Sequence, residues 1–396
     1  MRIASNVYQM QWLSSIQRKQ AELAAIQQQT STGKRVNTAA DDPAGAAQAL
    51  LLQQGLDRLG NFKSNADTAS RRLSLEEVAL SQGSDALNRV RELAIQAANA
   101  TQTRESRSAM VAEVSELLTG LFDTANSQDG QGSYLFAGNQ VQSRPFAPGT
   151  TVQYNGDNGA RSQRIGDTRT VQEGDPGSAV FMQIPAGNGT YTVTGNVSNQ
   201  GTTYWTSASV SNASSWVADT YAISFTAADT WEARNSSGTL VASGTYTAGQ
   251  SISFAGVSVG FEGTPVTGDQ FSIAPSGFQS VFKTVQDFLT TLDIETNTPE
   301  GRAWFQSQLN TSMQNLDQGL QHLDNIRSQV GARLATIDRQ LSSNADISLD
   351  LTQSISVIRD LDYASAISRL EQQLNSLEAA QKAFARTRSL SLFDIL

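Results

Sequence analysis

The 396 residues carry a formal net charge of −9 and only 16% charged side chains, which argues against a nucleic-acid-binding protein, because such a protein needs a basic face to displace phosphate counterions. The chain has no cysteine and a single histidine, so disulfide scaffolds, thiol catalysis and cysteine zinc sites are excluded. Without a run of about 18 apolar residues, the sequence also predicts no membrane-spanning helix.

Proline content and helical periodicity divide the chain into three parts. Six of the eight prolines lie between Pro145 and Pro275, whereas the two ends show apolar residues at helical spacing. We therefore predict an α+β multidomain fold, in which long antiparallel coiled-coil helices from both chain ends carry an all-β domain inserted in the middle. The predicted segments are an N-terminal outer helix and loop (1–40), an N-terminal inner helical segment (41–145), a β-rich surface domain (146–278), a C-terminal inner helical segment (279–345) and a C-terminal outer helix (346–396).

The two outer segments each carry a thin apolar stripe. In the first, from about residue 3 to 29, glutamines surround the stripe, and a helix of this kind is marginally stable alone. The second stripe resumes at Leu351 and slips phase near residues 360–363. We predict that neighbouring subunits complete the burial of both stripes, although two surface helices on an ordinary core fit the periodicity equally well. The predicted subunit-assembly residues are Ile3, Val7, Met10, Leu13, Ile16, Leu23, Ile26, Leu351, Ile355, Ile358, Ile367, Leu370, Leu374, Leu377, Phe384, Leu392 and Phe393.

The inner segments carry seams of apolar residues at alternating steps of three and four, which is the spacing of a coiled coil. Asp42 is predicted to cap the first inner helix, with Pro43 at the first helical position, where its missing N–H costs nothing. Glu76 and Gly83 are the two positions of the N-terminal seam that are not apolar. A helix break is predicted at residues 342–344 (SSN). The predicted inner-bundle seam residues are Leu59, Leu73, Leu80, Leu87, Leu316, Leu323, Val330, Leu334 and Ile337.

We expect the chain to run out along one set of helices and to return along the other, so that the two ends pair in an antiparallel bundle. Two separate bundles that flank a sandwich are the less favoured alternative, because neither end closes a core well alone. The middle shows short alternating stretches, such as residues 221–225 (YAISF), separated by turn residues, and this pattern predicts a barrel or sandwich. Its aromatic residues fit a hydrophobic core better than a sugar-binding platform; they are Tyr204, Trp205, Trp216 and Trp231.

The sequence offers no recognisable catalytic or metal-binding constellation. His322 lies beside the seam residue Leu323 and is predicted to lie on the flank of the bundle. Asp41 and Asp42 are interpreted as part of a helix start rather than as paired catalytic carboxylates. The turn at residues 155–159 (NGDNG) lacks the further acidic ligands of a calcium loop. We therefore predict no enzyme activity, no cofactor and no metal.

Motifs at both chain ends resemble those of the bacterial flagellin superfamily. Residues 29–37 (QTSTGKRVN), followed by 40–45 (ADDPAG), and residues 87–99 (LNRVRELAIQAAN) are similar to its two N-terminal signatures. Residues 361–368 (LDYASAIS) and 381–385 (QKAFA) are similar to its terminal helix. Further stretches resemble the hook-associated protein 3 branch of the superfamily rather than flagellin; they are residues 132–138 (GSYLFAG), 268–276 (GDQFSIAPS) and 390–396 (LSLFDIL).

The resemblance implies a structural subunit of the bacterial flagellum that forms the junction layer between hook-associated protein 1 on the hook and the flagellin filament. The partners that it implies are further copies of the chain in a ring or helical layer, hook-associated protein 1, flagellin and an export chaperone bound to the C-terminal helix. It also implies an extracellular location, reached through the flagellar type III apparatus without a cleaved signal. A flagellin and, less favoured, a helix-stalked glycan-binding surface protein are the alternatives.

Overall fold

Helices at both ends of the chain flank a series of antiparallel strands in the computed structural model, which describes residues 2–99, 102–149 and 152–393. The helices are α1 (Arg2–Thr32), α2 (Pro43–Ala97), α3 (Arg104–Ala125), α4 (Gly177–Phe181), α5 (Val281–Leu292), α6 (Pro299–Arg359) and α7 (Tyr363–Phe393). The strands are β1 (Phe146–Ala147), β2 (Gln153–Tyr154), β3 (Ser162–Arg164), β4 (Thr170–Gln172), β5 (Ile184–Pro185), β6 (Tyr191–Gly195), β7 (Tyr204–Val210), β8 (Tyr221–Ala227), β9 (Thr230–Arg234), β10 (Leu240–Thr245), β11 (Ser251–Phe254), β12 (Val257–Glu262), β13 (Gln270–Pro275) and β14 (Phe278–Gln279). The predicted arrangement of helical ends around a β-rich middle is confirmed.

The chain forms two compact units. The two chain ends, up to Ser64 and from Gln340, form the terminal unit, and Asn65–Arg339 form the central unit. The helices α2 and α6 contribute residues to both units.

Side-chain caps determine where several helices begin. Asp42 Oδ1 accepts a hydrogen bond from the Gly45 N–H at 2.9 Å, and α2 begins at Pro43. The same geometry recurs at α3, where Thr103 Oγ1 accepts from the Ser106 N–H at 3.2 Å. These bonds satisfy N–H groups that have no partner within the first turn of a helix.

The predicted break at residues 342–344 is wrong, because α6 runs through these residues to Arg359. Serine and asparagine are only mildly unfavourable inside a helix. Asn344 is buried, and its Oδ1 accepts a hydrogen bond at 2.9 Å from Gln340 Nε2, one turn earlier. The break lies instead at residues 360–362, where the apolar phase slips, and α7 then begins at Tyr363.

Two antiparallel sheets form a β-sandwich within the central unit. Five strands pair in the order β10-β9-β8-β13-β6, and three pair in the order β11-β12-β7. In the larger sheet Phe271 lies opposite Ile223 on β8 and Gly195 on β6. Buried and half-buried residues alternate along β8, and buried residues of both sheets belong to one common core. That core includes Tyr191, Val193, Trp205, Tyr221, Ile223, Phe225, Trp231, Phe254, Val259, Phe261, Phe271 and Ile273.

The residues between α3 and the sandwich pack differently from the rest of the predicted β-rich segment. They contribute to three two-stranded ribbons, β1-β2, β3-β4 and β14-β5, and the first strand of the sandwich is β6. A phenylalanine cluster lies between these ribbons, α3 and α5. The ring of Phe282 on α5 stacks on Phe122 at a centroid distance of 4.3 Å and lies 5.2 Å from Phe146. This cluster was not anticipated from the sequence, because its members are far apart along the chain.

Candidate assembly site of the terminal helices

The first and last helices of the terminal unit pack against each other in antiparallel fashion. Near their middle, Lys19 Nζ on α1 donates to Ser376 Oγ on α7 at 2.6 Å. Just after α1 ends and just before α7 begins, the Leu361 N–H donates to Gly33 O at 3.0 Å. Because residue numbers rise along α1 as they fall along α7, the two ends of the chain run in opposite directions.

Arg35 ties the loop after α1 to the end of α6. Its backbone N–H donates to Arg359 O at 2.7 Å, and its guanidinium donates to Ile358 O at 2.6 Å. These carbonyls belong to the last turn of α6, where no intrahelical N–H is available. The same guanidinium lies 3.4 Å from Asp42 Oδ2, so the cap of α2 and the end of α6 share one arginine.

The predicted subunit-assembly residues differ widely in burial. Ile16 is buried, and the half-buried members are Leu23, Ile26, Leu351, Ile355, Ile358, Leu370, Leu377 and Phe384. The members whose side chains are exposed are Val7, Met10, Leu13, Ile367 and Leu374. The side chains of Ile3, Leu392 and Phe393 lie outside those that the structure describes. Pairing of α1 with α7 thus leaves part of both stripes uncovered.

Large apolar side chains on the surface of the terminal unit extend beyond those stripes. Val357 on α6 is 83% exposed, Leu51 on α2 is 68% exposed and Met10 on α1 is 64% exposed. More than half of the exposed large apolar side chains in the described part of the chain lie in this unit, which holds less than a third of the residues. We call this set the terminal apolar surface; it consists of Val7, Met10, Trp12, Leu13, Leu50, Leu51, Ile347, Leu349, Val357, Tyr363, Ile367 and Leu374.

The predicted assembly set missed Trp12 on α1, Tyr363 on α7 and the members of this surface that lie on α2 and α6. A signal was present at residues 49–52 (ALLL), because four consecutive apolar residues cannot all lie on one face of a helix. Ala49 is buried there, whereas Leu50 and Leu51 are exposed. No comparable signal marks Val357, whose exposure depends on which face of α6 meets its neighbours.

A groove of about 850 Å³ lies on the terminal unit between α2 and α6. Leu56 and Leu59 line it from α2, and Leu341, Ala345 and Leu349 line it from α6. Leu349, which lines the groove, is also a member of the terminal apolar surface.

The predicted seam in the central unit consists mainly of buried residues. Side chains with no more than 1% exposure are Leu73, Leu80, Leu87, Leu316, Leu323, Val330 and Ile337, whereas Leu334 is half-buried. A β-carbon on Gly83 of α2 would lie 3.6 Å from Leu323 Cδ1 of α6, which shows how closely the two helices approach. Arg327 on α6 donates two hydrogen bonds to Glu77 Oε1 on α2, at 2.8 and 3.0 Å.

The residues considered above for catalysis, metal binding or sugar binding have structural contacts instead. His322 Nε2 lies 2.8 Å from Ala179 O, which can only accept the hydrogen bond. Trp205 and Trp231 are buried in the sandwich core and Trp216 packs against it, as predicted, whereas Tyr204 lies outside this core, is half-buried and donates from its Oη to Glu262 Oε2 at 2.7 Å. Within the described ranges, no three His, Cys, Asp or Glu side chains are grouped to hold a metal ion. None of the helices described is long and apolar enough to span a bilayer.

Both helical ends of the chain match models of known protein families. Residues 3–141 match the model of the bacterial flagellin N-terminal helical region, and residues 313–396 match that of the C-terminal helical region. Residues 194–275, which contain most of the sandwich, match the D2-like domain of flagellar hook-associated protein 1. The chain therefore has the organisation of a flagellin-type protein with an inserted β domain.

Individual relatives show which flagellin-type proteins this chain resembles. The crystal structure of Xanthomonas campestris FlgL is 35% identical, covers 77% of this chain and 99% of its own, and superposes with a TM-score of 0.73. The flagellar junction protein FlgL from Legionella pneumophila is 30% identical, covers 79% of this chain and 100% of its own, and has the same TM-score of 0.73. Flagellar hook-associated protein 3 of Escherichia coli (strain K12) is 24% identical over 100% of this chain and 99% of its own length. The chain belongs to this family of flagellar junction proteins, FlgL or hook-associated protein 3.

One curated relative matches only part of the chain. Flagellar hook-associated protein 3 of Salmonella typhimurium is 33% identical over 184 residues, which span 46% of this chain and 58% of that protein. The family consists of structural flagellar proteins that associate with other flagellar components.

Proposed function

We propose that this chain forms the layer that joins the hook to the filament of the bacterial flagellum, as a structural subunit required for filament attachment and motility. The observation that carries the proposal is the terminal apolar surface. More than half of the exposed large apolar side chains in the described part of the chain lie on the terminal unit, and exposed apolar area concentrated on one part of a protein marks an interaction surface. Covering this surface with the terminal helices of adjacent copies removes apolar area from water, at about 25 cal/mol per Å².

In this proposal, further copies of the chain lie side by side in a ring or helical layer. Hook-associated protein 1 contacts the layer on the hook side, and flagellin contacts it on the filament side. The predicted subunit-assembly residues form the contacts between copies, and Leu59 and the seam of the central unit keep the long helices paired. The chain carries no catalytic role in this arrangement.

We further propose that the chain reaches the outside of the cell through the flagellar type III apparatus, without a cleaved signal. An export chaperone holds the C-terminal helix before passage. The exposure of Ile367 and Leu374 on α7 supports this part of the proposal, because these side chains offer a chaperone an apolar surface that later becomes available to neighbouring subunits.

Flagellin is the second candidate, because the models that match both helical ends are those of flagellin. A strain that lacks the gene for this chain separates the two. For a junction subunit we expect hooks without filaments in electron micrographs and flagellin monomers in the culture medium, with both defects reversed by the wild-type gene. Filaments attached to the hooks of the deletion strain would contradict the junction role and favour a minor flagellin.

A further inference from the structure

An acidic side chain occupies a buried position of the inner seam. Glu76 lies on α2 between the seam residues Leu73 and Leu80, and only 1% of it is exposed. Its Oε1 accepts one hydrogen bond, at 3.1 Å, from the Asp175 N–H. Its Oε2 is buried and has no hydrogen-bond partner among the described residues. An ionised carboxylate in such a place is costly unless a cation or several donors compensate for its lost hydration.

The cations around Glu76 are already matched with other acids. Two arginines lie near Glu76, and each pairs with a different carboxylate. The pairs are Arg333 on α6 with Asp175 (2.7 and 3.0 Å) and Arg72 on α2 with Asp129 (3.1 Å), and beside Arg72 a further pair joins Arg161 to Glu173 (2.7 Å). Glu76 is thus an unmatched third carboxyl group beside two guanidinium groups. The cluster is electrically balanced when Glu76 is neutral and carries one excess negative charge when it is ionised.

The surroundings of Glu76 favour its protonated form. Burial, first, and the nearby Asp175 carboxylate raise the pKa of Glu76 from its ordinary 4.5 to about 8. The Asp175 N–H, Arg333 and Arg72 act in the opposite direction without overcoming the burial. Glu76 is therefore mostly a neutral acid at pH 7.

Glu76 and Arg333 hold the same short segment from opposite sides. The segment 173–175 follows β4, and its Asp175 binds Glu76 of α2 through its backbone N–H and Arg333 of α6 through its carboxylate. A β-carbon on Gly174 would lie 3.6 Å from Glu76 Oε2, so the segment lies directly over the carboxyl group. The proton on Glu76 determines whether the Asp175 carboxylate faces a neutral group or a like charge at this junction.

We propose that Glu76 is a proton-dependent latch, which as a neutral acid holds the 173–175 segment between α2 and α6 and releases it as the solution becomes alkaline. When the segment opens, Glu76 becomes hydrated and returns toward its ordinary acidity. The folded arrangement therefore binds one more proton than the open one between pH 4.5 and about 8. Opening becomes up to tenfold more favourable for each pH unit in this window and levels off above it.

Amide exchange of the full-length chain tests the latch, with the Glu76→Gln variant measured beside the wild type at each pH. Because the base-catalysed chemistry of exchange is the same in both proteins, the ratio of their exchange rates in peptides that cover residues 173–181 isolates the opening step. We expect this ratio, wild type over variant, to rise at least tenfold between pH 5.5 and 8.5. A ratio that is the same at both pH values would overturn the proposal.

Two further variants keep the test decisive. Glu77→Gln changes the next residue of the helix, whose carboxylate is about one-third exposed and pairs with Arg327 outside the cluster. Relative to the wild type, we expect it to leave exchange in residues 173–181 unchanged at every pH. If Glu76→Gln fails to fold, Glu76→Met supplies the uncharged reference at the same seam position. A pH-dependent ratio for Glu77→Gln equal to that for Glu76→Gln would also refute the latch.

Discussion

Tyr363 covers Gly33 where the first helix of the chain ends and the last one begins. Tyr363 Oη lies 2.9 Å from the position that a β-carbon on Gly33 would take. Gly33 has a φ of +70°, a conformation that residues with a β-carbon adopt at a cost. Its carbonyl accepts the hydrogen bond from Leu361 that joins the two chain ends. The backbone conformation and the lack of space both require glycine at this position.

We predict that Gly33→Ala destabilises the terminal unit by about 1–2 kcal/mol, the cost of a left-handed conformation for an L residue. The displaced tyrosine adds to this cost. Amide exchange in α1 and α7 should accelerate, because the connection between them weakens. Gly60→Ala is the matched control, because a β-carbon on Gly60 of α2 would have no neighbouring side chain within 4 Å, and alanine favours the helix there by up to about 1 kcal/mol. Equal effects of both variants would contradict the role assigned to Gly33.

A second prediction concerns the seam of the central unit. Leu80→Ala should lower the free energy of unfolding by about 2–5 kcal/mol, because Leu80 is fully buried and its loss leaves a cavity. Val78 lies two residues earlier on α2, and its side chain is 55% exposed. Val78→Ala should therefore change the free energy of unfolding by no more than about 0.5 kcal/mol. Urea denaturation of both variants measures the difference. A similar midpoint for the two would show that Leu80 does not face the bundle core.

Asp269 supports a third prediction, for the β-sandwich. Its buried carboxylate accepts hydrogen bonds from the N–H groups of Gln200, Gly201 and Val266, at 2.8, 3.1 and 2.9 Å. Asp269→Asn turns one of these acceptors into a donor that faces N–H groups, and leaving buried groups unsatisfied costs about 1–3 kcal/mol each.

Fluorescence of the buried tryptophans during urea denaturation follows the unfolding of this region. We expect a lower midpoint for Asp269→Asn than for the wild type. The control is Asp229→Asn, because Asp229 lies in the turn between β8 and β9 of the same sandwich with an exposed side chain, and its replacement should have little effect. Asp269→Asn with wild-type stability would mean that the three N–H groups find other partners.

The fourth prediction tests the terminal apolar surface in assembly. Val357→Asp places a charge where 83% of the side chain is exposed, so the isolated chain should keep its wild-type melting temperature. If neighbouring copies cover this position, the buried charge should prevent stable incorporation into the flagellum, and cells should shed flagellin and lose motility.

Val241→Asp provides the comparison for that experiment. Val241 lies on the edge strand β10 of the central unit and is 40% exposed, so its replacement adds the same charge outside the terminal apolar surface. We expect the strain that carries Val241→Asp to swim normally. Normal motility of the Val357→Asp strain would argue that Val357 faces solvent in the assembled flagellum.

Local sequence determined where several elements begin and which residues lie in the inner seam. Asp42 and Pro43 mark the start of α2, and the alternating steps of three and four identify Leu80 and Leu323 as core residues. The alternation in the middle of the chain likewise predicts the sandwich strands. These features can be predicted from the sequence because capping and periodicity depend on residues only a few positions apart.

The tertiary structure alone decided which local possibilities were realised. Residues 342–344 predict a helix break, but Asn344 is buried and accepts a hydrogen bond from Gln340, and α6 continues through them. Glu76 interrupts the seam as a polar residue in the sequence, but two of the charged groups around it, Asp175 and Arg333, come from about a hundred or more positions away, whereas Arg72 lies one turn earlier on the same helix. The exposure of Val357 follows from the packing of α6 rather than from its own neighbours in sequence. Burial and charge balance are properties of what surrounds a side chain in space, and distant parts of the chain supply most of those surroundings.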